Sequence, residues 1–149
     1  MKTYRSIVAI GAILLFTFAA AARDHSVMNG SWTLVPTKSD FAGQAVVQTG
    51  TVTISDREGI IIVSRSFVYQ GATETFFYKD FTDAENNATI HNGKNIKSKT
   101  KWDHDALKVT TTESGAITLE TYTLAADGTM LVNVGRPEHK PITLVFERK

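Results

Sequence analysis

The chain has 149 residues, a formal net charge of +1 at pH 7 and no cysteine. This length allows one domain of ordinary size beside a leader, and the near balance of charge gives no reason to expect a nucleic acid or an anionic membrane surface as partner. Without disulfides, a folded domain of this size depends on its apolar core and its hydrogen-bonded backbone.

The first 22 residues have the pattern of a secretory signal peptide. Lys2 and Arg5 precede an apolar run over residues 7–22, which ends in four alanines. A membrane anchor is the alternative, but a span needs about 20 apolar residues, and small residues at the end of the run favour cleavage. We therefore expect a helical signal peptide (1–22), cleaved after Ala22 or a neighbouring alanine. One secreted or periplasmic domain (23–149) remains, with no stable membrane insertion, and His25 is expected to be disordered near its new amino terminus.

The rest of the chain is divided by turn signals at intervals of roughly ten residues, which is typical of consecutive antiparallel hairpins. No segment has room for the helical crossover that parallel strands need. Gly50 is expected to mark a bulge or a close approach, and Asn92-Gly93 suits a tight primed turn. About nine or ten strands are predicted, over residues 31–35, 46–55, 60–69, 73–81, 88–91, 96–102, 107–112, 116–124, 129–134 and 141–148.

The predicted fold class is all-β, a closed antiparallel up-and-down β-barrel, because closure removes the two edges of a long sheet. In residues 96–102 every second residue is lysine, so the lysine face is solvent and the other face is interior. That interior face includes Ser98 and Thr100, and Thr111 faces inward from the next strand. Inward hydroxyl groups suit a hollow, partly wet barrel, or they lie near its mouth and meet water there.

No catalytic or metal-binding set is recognisable in the sequence. The four histidines are scattered, and the chain lacks a nucleophile elbow, a phosphate-binding glycine loop and a zinc-binding spacing. Asp103-His104-Asp105 has ligand types that suit a divalent ion, but an ordinary hairpin turn is the better interpretation. We predict that the protein is not an enzyme and has no cofactor and no metal.

Arg65 is the polar residue of greatest interest. It shares a strand face with Phe67 and Tyr69. If that face is inward, Arg65 is a cation inside an apolar barrel, and it needs a partner or an anionic ligand. In the other register Ser64 and Ser66 face inward and Arg65 is exposed. Both faces are partly apolar, so alternation does not decide between them.

The two ends of the predicted barrel resemble those of the calycin superfamily, which comprises lipocalins and fatty-acid-binding proteins. Gly30 and Trp32 open the first strand as G-x-W, and Arg148 closes the last strand. The resemblance implies that Trp32 closes one end of the barrel and that Arg148 packs across its ring. Such a contact is favourable for an indole and a guanidinium. Residues 30–34, 38–41 and 145–148 resemble more closely a group of small secreted bacterial lipocalin-like proteins without a firmly assigned activity.

The departures from this pattern bear on the ligand. Fatty-acid-binding proteins carry a two-helix lid between the first two strands, and the interval 36–44 is too short for one. They also hold the ligand carboxylate with an Arg-x-Tyr pair on the last strand, where Leu144 and Phe146 stand here. Classical lipocalins usually have disulfides and a C-terminal helix, and this chain has neither. The resemblance therefore implies the fold and an apolar ligand more than a fatty acid.

We predict a lipocalin-like barrel that binds a small, mostly apolar molecule, such as a lipid, in its interior. The alternative is a protein-interaction module, such as an inhibitor or envelope accessory protein, with a packed core and one exposed apolar patch. A barrel enzyme would need convergent titratable groups at the mouth. The oligomeric state is not predicted. The candidate ligand-binding residues are Trp32, Arg65, Phe67, Tyr69, Phe77, Trp102, Val109, Leu119, Leu144 and Phe146.

Overall fold

The computed structural model describes residues 24–81 and 87–149, and the predicted signal peptide (1–22) lies outside these ranges. Two short 3-10 helices, His25–Met28 and Pro36–Lys38, flank the first strand. No helix in the described ranges is long and apolar enough to cross a membrane. The strands are β1 (Gly30–Leu34), β2 (Val47–Arg57), β3 (Ile60–Tyr69), β4 (Ala72–Phe81), β5 (Asn87–His91), β6 (Lys94–Asp103), β7 (Ala106–Glu113), β8 (Ala116–Leu124), β9 (Met130–Gly135) and β10 (Ile142–Arg148).

These strands form a closed barrel in which each strand pairs antiparallel with its neighbours in the chain. Pairing of β1 with β10 completes the ring and places Trp32 opposite Arg148. The prediction of an all-β, closed up-and-down barrel is therefore confirmed. Because the sheet closes on itself, its two outermost strands satisfy each other's backbone hydrogen bonds.

The connections alternate between the two ends of the barrel. We call one end the mouth; it carries the segments 35–46, 70–71, 92–93, 114–115 and 136–141. We call the other the closed end; it carries the helix His25–Met28 and the segments 58–59, 104–105 and 125–129. The segment 35–46 holds no two-helix lid; it contains the 3-10 turn Pro36–Lys38 and an isolated β-bridge between Asp40 and Thr143.

Several tight hairpins share one turn geometry, the primed turn that the sequence predicted at Asn92-Gly93. The φ angles are 46° at Asn92 and 80° at Gly93, and positive values at both central residues are what a type I′ turn requires. This turn follows the right-handed twist of the flanking strands, so each pair fixes the register of its hairpin. The same positive-φ pairs occur at Glu58-Gly59, Gln70-Gly71 and Ser114-Gly115.

Gly50 lies where β2 passes close over the core, as expected. A Cβ atom at this position would lie 2.8 Å from Phe67 Cδ1 and 3.2 Å from Leu34 Cβ. We expect Gly50→Ala to lower the free energy of unfolding by about 1–3 kcal/mol, because overpacking displaces neighbouring side chains. Urea unfolding measures this change, with Thr51→Ala on the exposed face as control. A Gly50→Ala variant as stable as the control would contradict the close approach.

Apolar side chains fill the closed end of the barrel. Trp32 is completely buried, and its Nε1 donates a hydrogen bond to the carbonyl of Met28 at 3.0 Å. The Arg148 guanidinium carbon lies 4.4 Å from the centre of the Trp32 ring. The same guanidinium donates to the carbonyls of Asn29, at 2.7 Å, and Val27, at 2.6 Å. Through Arg148, the last strand thus holds the segment before β1 against this end of the barrel.

Candidate functional site

Arg65 lies inside the barrel, where its side chain is only 4% exposed. Of the two registers open at β3, the structure therefore has the one that points Arg65 inward. Arg65 forms an ion pair with Glu120 on β8. In the ring of ten strands, β8 is five positions from β3 in either direction. The pair therefore spans the lumen of the barrel.

Aromatic rings and one hydroxyl surround this ion pair. The Arg65 guanidinium carbon lies 4.0 Å from the centre of the Phe76 ring and 4.8 Å from that of Phe67. The Tyr122 hydroxyl donates to Glu120 Oε2 at 2.7 Å. Within the described chain, Arg65 Nε has no hydrogen-bond partner. The pair is thus held from two sides but is not fully satisfied by hydrogen bonds.

Charge and burial set the protonation states around the pair. Burial is the largest single influence on the pKa of Arg65 and acts to lower it, but the Glu120 carboxylate, Tyr78 and Tyr122 together outweigh burial, so that pKa lies well above its ordinary value. Burial, and then the negative charge of Glu120, raise the pKa of the Tyr122 hydroxyl well above its ordinary value. At neutral pH Arg65 is therefore a cation and Tyr122 a neutral donor.

A second set of polar, ionisable groups continues from the pair toward the mouth. Glu74 Oε1 lies 3.8 Å from Arg65 Nη2, and Glu74 Oε2 lies 3.9 Å from His91 Nε2. His91 Nδ1 lies 2.7 Å from Glu113 Oε2. The His91 ring stacks on Phe76, with a centroid separation of 3.9 Å. None of Glu74, His91, Glu113 and Glu120 was among the site residues predicted from the sequence.

A cavity of about 440 Å³ opens at the mouth among these residues. Arg65, Phe76 and Glu120 form its buried wall. Its remaining lining comprises Glu74, His91, Thr111, Glu113, Ser114, Ala116, Thr118 and Arg136. An adjoining cavity of about 400 Å³ shares Glu74 and Arg136 with the first and is lined in part by Tyr69 and Ile142. The mouth thus combines apolar surface with charged groups of both signs.

The candidate ligand-binding residues separate into groups. Arg65 lines the mouth cavity and Tyr69 the adjoining one. Trp102 is half-buried at the closed end, where its Nε1 donates to Asp56 Oδ2 at 3.1 Å. The remaining inward-facing candidates are buried in the core; they are Trp32, Phe67, Val109, Leu144 and Phe146.

Phe77 and Leu119 do not line the interior, so their assignment to the site is corrected. Phe77 and Leu119 are 40% and 43% exposed, because each is adjacent in the chain to an inward-facing residue. On β4 the neighbour Phe76 takes the inward position, and on β8 the inward position belongs to Glu120. A strand alternates its faces, so the adjacent residue must face solvent.

The inward hydroxyl residues are all buried. Ser98 and Thr100 on β6 are 3% and 0% exposed, and the Thr89 hydroxyl donates to Ser98 Oγ. Thr111 is also buried but lines the mouth cavity. This wall of the barrel is therefore polar, and only part of it belongs to the mouth.

His25 packs against the closed end instead of being disordered as expected. Its ring stacks on Trp102 with a centroid separation of 3.8 Å, and its Nε2 lies 3.1 Å from the His104 carbonyl oxygen. These residues line a further cavity of about 410 Å³ at the closed end.

The contacts of Asp103, at the closed end, predict how stability depends on pH. Hydrogen bonds from Lys108 and then from His104 lower the pKa of Asp103 to about 2. The unfolded value is about 3.9, so the stabilising contribution is complete above about pH 4 and is lost as pH falls through about 2. A carboxyl NMR titration is expected to give a midpoint near 2, and Lys108→Met should raise it. A parent midpoint near the unfolded value would contradict the contact.

Solved structures with a similar barrel include binding proteins for small molecules. A fatty-acid-binding protein from Schistosoma mansoni, in complex with arachidonic acid, matches with a TM-score of 0.62 and 14% identity, over 84% of this chain and 98% of that one. The barrel has the calycin fold. Human cRBP IV, a cellular retinol-binding protein, matches with a TM-score of 0.58 and 16% identity, over 82% and 98% of the two chains. No protein-family model and no curated protein matches the sequence of this chain.

Proposed function

We propose that this protein is a secreted or periplasmic calycin barrel that binds a small, mostly apolar molecule at its mouth. The observation that carries the proposal is the cavity of about 440 Å³ that reaches from the mouth to the Phe76 ring and the buried Arg65. Sites for small molecules have volumes of about 300–1,000 Å³ and combine apolar surface with a few polar groups. The fatty-acid- and retinol-binding proteins with similar barrels support the same class of ligand.

The ion pair sets how deep such a ligand reaches. Core side chains occupy the closed end, and Arg65 and Glu120 meet across the lumen. A ligand entering from the mouth would stop at this pair and contact Phe76, with Tyr69 and Ile142 beside it. Because Glu120 already balances the charge of Arg65, the site does not require an anionic ligand.

A polar group on the ligand would find partners at the rim. Glu74 and Arg136 line the mouth cavity and supply charges of both signs, and His91 adds an imidazole ring. The ligand we propose is therefore an apolar molecule with a polar end, the apolar part lying against Phe76. Export rests on the leader pattern in residues 1–22.

A variant that fills the mouth tests the proposal. Thr118 faces the mouth cavity from β8, while Thr121 stands on the opposite face of the same strand. We expect Thr118→Trp to weaken binding of a fluorescent fatty-acid probe by at least about tenfold, the equivalent of about 1.4 kcal/mol. Thr121→Trp is the matched control and should leave the affinity unchanged.

Native mass spectrometry of the exported protein complements the probe titration. A co-purifying small molecule that is present in the parent and lost in Thr118→Trp would identify the ligand. A parent protein that binds no apolar probe, or equal affinities in the two tryptophan variants, would refute binding at the mouth.

A protein-interaction module is the second candidate, favoured by an apolar pair on the outer face. Phe77 and Ile90 stand opposite each other on β4 and β5 and are 40% and 41% exposed. Exposed apolar patches often mark contacts between proteins. This candidate predicts that Phe77→Ser abolishes an association, measured by sedimentation, without changing probe affinity at the mouth.

A further inference from the structure

The described sheet is open between β6 and β7 at the mouth. Backbone pairing of these two strands stops at Lys97, opposite Thr112. Beyond that point each strand continues toward its turn paired with its other neighbour alone, β6 with β5 and β7 with β8. The two hairpins therefore diverge. We call the gap between them, bounded by residues 94–97 and 112–115, the notch.

A cavity of about 580 Å³ occupies the notch, and every residue that bounds the notch lines it. Glu113 and Ser114 also line the mouth cavity of about 440 Å³, so the two cavities adjoin along the second hairpin. A small molecule that lies against Phe76 in the mouth cavity therefore has a route through the notch to the outer surface of the barrel. The notch is itself large enough for the polar part of such a molecule.

Two lysines give the notch an excess of positive charge. Lys94 and Lys97 line it with exposed side chains, and within residues 24–81 and 87–149 neither makes an ion pair. The carboxylate in the lining belongs to Glu113, and it lies 2.7 Å from His91 Nδ1. Lys94 shares the lumen face of β6 with Ile96, whereas Lys97 stands on the outer face, because a strand alternates its faces. The two lysines therefore flank the notch on its inner and outer sides.

The backbone of Asn95 adds a hydrogen-bond donor between the lysines. In a two-residue primed hairpin the residues beside the turn, here His91 and Lys94, exchange both of their backbone hydrogen bonds. Successive residues of a strand turn their N–H and C=O groups toward opposite neighbours, so those of Asn95 point away from β5. No residue of β7, all of which is described, pairs with Asn95. Its N–H therefore faces the notch, where it can donate to an oxyanion.

We propose that the notch binds the anionic head, a carboxylate or a phosphate ester, of a single-chain amphiphile whose apolar chain lies in the mouth cavity against Phe76. This inference rests on the proposed function and deepens it, because it gives the polar end of the ligand a charge and a place. Lys94 and Lys97 pair with the head, and the Asn95 N–H donates to one of its oxygens. The inner end of the ligand meets the Arg65–Glu120 pair, whose charges already balance, so that end is uncharged.

The test compares three ligands whose chains have the same number of carbon atoms: decyl phosphate, decanoate and decanol. Each competes with a fluorescent fatty alcohol for the parent protein at neutral pH and low salt. The two anions should displace this uncharged probe at concentrations at least about tenfold lower than decanol, because charge-assisted hydrogen bonds are the stronger kind. Added salt should reduce the advantage of the anions, since the lysines are exposed and therefore screened. Inorganic phosphate in large excess should not displace the probe, because it has no chain.

Two double variants isolate the notch. Lys94→Gln with Lys97→Gln removes both cations, and it should weaken binding of decyl phosphate by at least about tenfold while leaving that of decanol unchanged. Lys79→Gln with Lys101→Gln is the matched control, because it removes the same net charge from exposed positions outside the cavity lining. It should change neither affinity. Circular dichroism checks that each double variant keeps the barrel.

Each possible result supports or overturns the proposal. Tighter binding of either anion than of decanol, lost in the notch variant alone, supports it, and the tighter anion identifies the head. Equal affinities for decanol and both anions, or equal losses in the two double variants, would overturn it and leave apolar binding at the mouth intact. Displacement by inorganic phosphate would also overturn it, because the notch would then take a free anion. A parent that binds none of the three chains would refute the mouth site, and this inference with it.

Discussion

Glu120→Leu is expected to lower the free energy of unfolding by about 3–5 kcal/mol, because it leaves the Arg65 cation buried without its partner. Arg65 is only 4% exposed, and the carboxylate that would remain near it, that of Glu74, lies 3.8 Å away. The Tyr122 hydroxyl would also lose its acceptor. Urea unfolding followed by circular dichroism measures the change, and the m-value shows whether the native state stays compact.

The double variant Arg65→Met with Glu120→Leu is the decisive comparison. Two apolar side chains of similar size remove both charges, and such replacements of buried ion pairs are often neutral or stabilising. The double variant should therefore be much more stable than Glu120→Leu alone. Costs of the two single changes that simply add would show that the groups do not interact. Glu147→Leu provides a surface control, since its ion pair with Lys38 is more than half exposed on both sides and such pairs contribute little.

The same ion pair links stability to the proposed function. Arg65 and Glu120 come from opposite walls of the barrel, so their contact divides the packed closed end from the mouth cavity. Removing both charges also removes a polar barrier from the lumen. A fluorescent fatty-acid probe should therefore bind the double variant at least as tightly as the parent. Weaker binding would indicate that the ligand contacts Arg65 or Glu120 directly.

The fold could be predicted from the sequence because its signals are local. Pairs such as Asn92-Gly93 place two positive φ angles at a turn, and the strands between turns alternate their faces. Closure followed from the cost of two free sheet edges, and the contact between Trp32 and Arg148 lies where the calycin resemblance implied.

The candidate site was predicted less well because its contacts are not local. Arg65 lies on a strand whose two faces are both partly apolar, so alternation could not decide its direction. In the sequence, Glu120 resembles a solvent-facing residue, because its partner, Arg65, lies 55 positions earlier in the chain. Alternation with the aromatic Tyr122 on β8 was the available signal for Glu120. The same alternation would have placed Leu119 on the outer face.

Trp32→Ala is expected to be the most destabilising single change at the closed end, costing about 3–5 kcal/mol. The indole is completely buried, its N–H donates to the Met28 carbonyl, and the Arg148 guanidinium covers its outer face. The substitution removes all of these contacts and leaves a large cavity. Unfolding should be followed by far-ultraviolet circular dichroism, because the variant keeps only one of the two tryptophans.

Arg148→Met separates the contribution of the Arg148 guanidinium to the closed end from that of the Trp32 indole. It removes the contact with the ring, which contributes about 0.5–1 kcal/mol at exposed sites, and the hydrogen bonds to the carbonyls of Asn29 and Val27. Its cost should therefore be clearly smaller than that of Trp32→Ala, and the double variant should cost less than the sum. Equal costs for the two single variants would mean that the guanidinium, through the segment before β1, stabilises the closed end as much as the buried indole does. Fully additive costs would mean that the two side chains stabilise the barrel end independently, in spite of their contact.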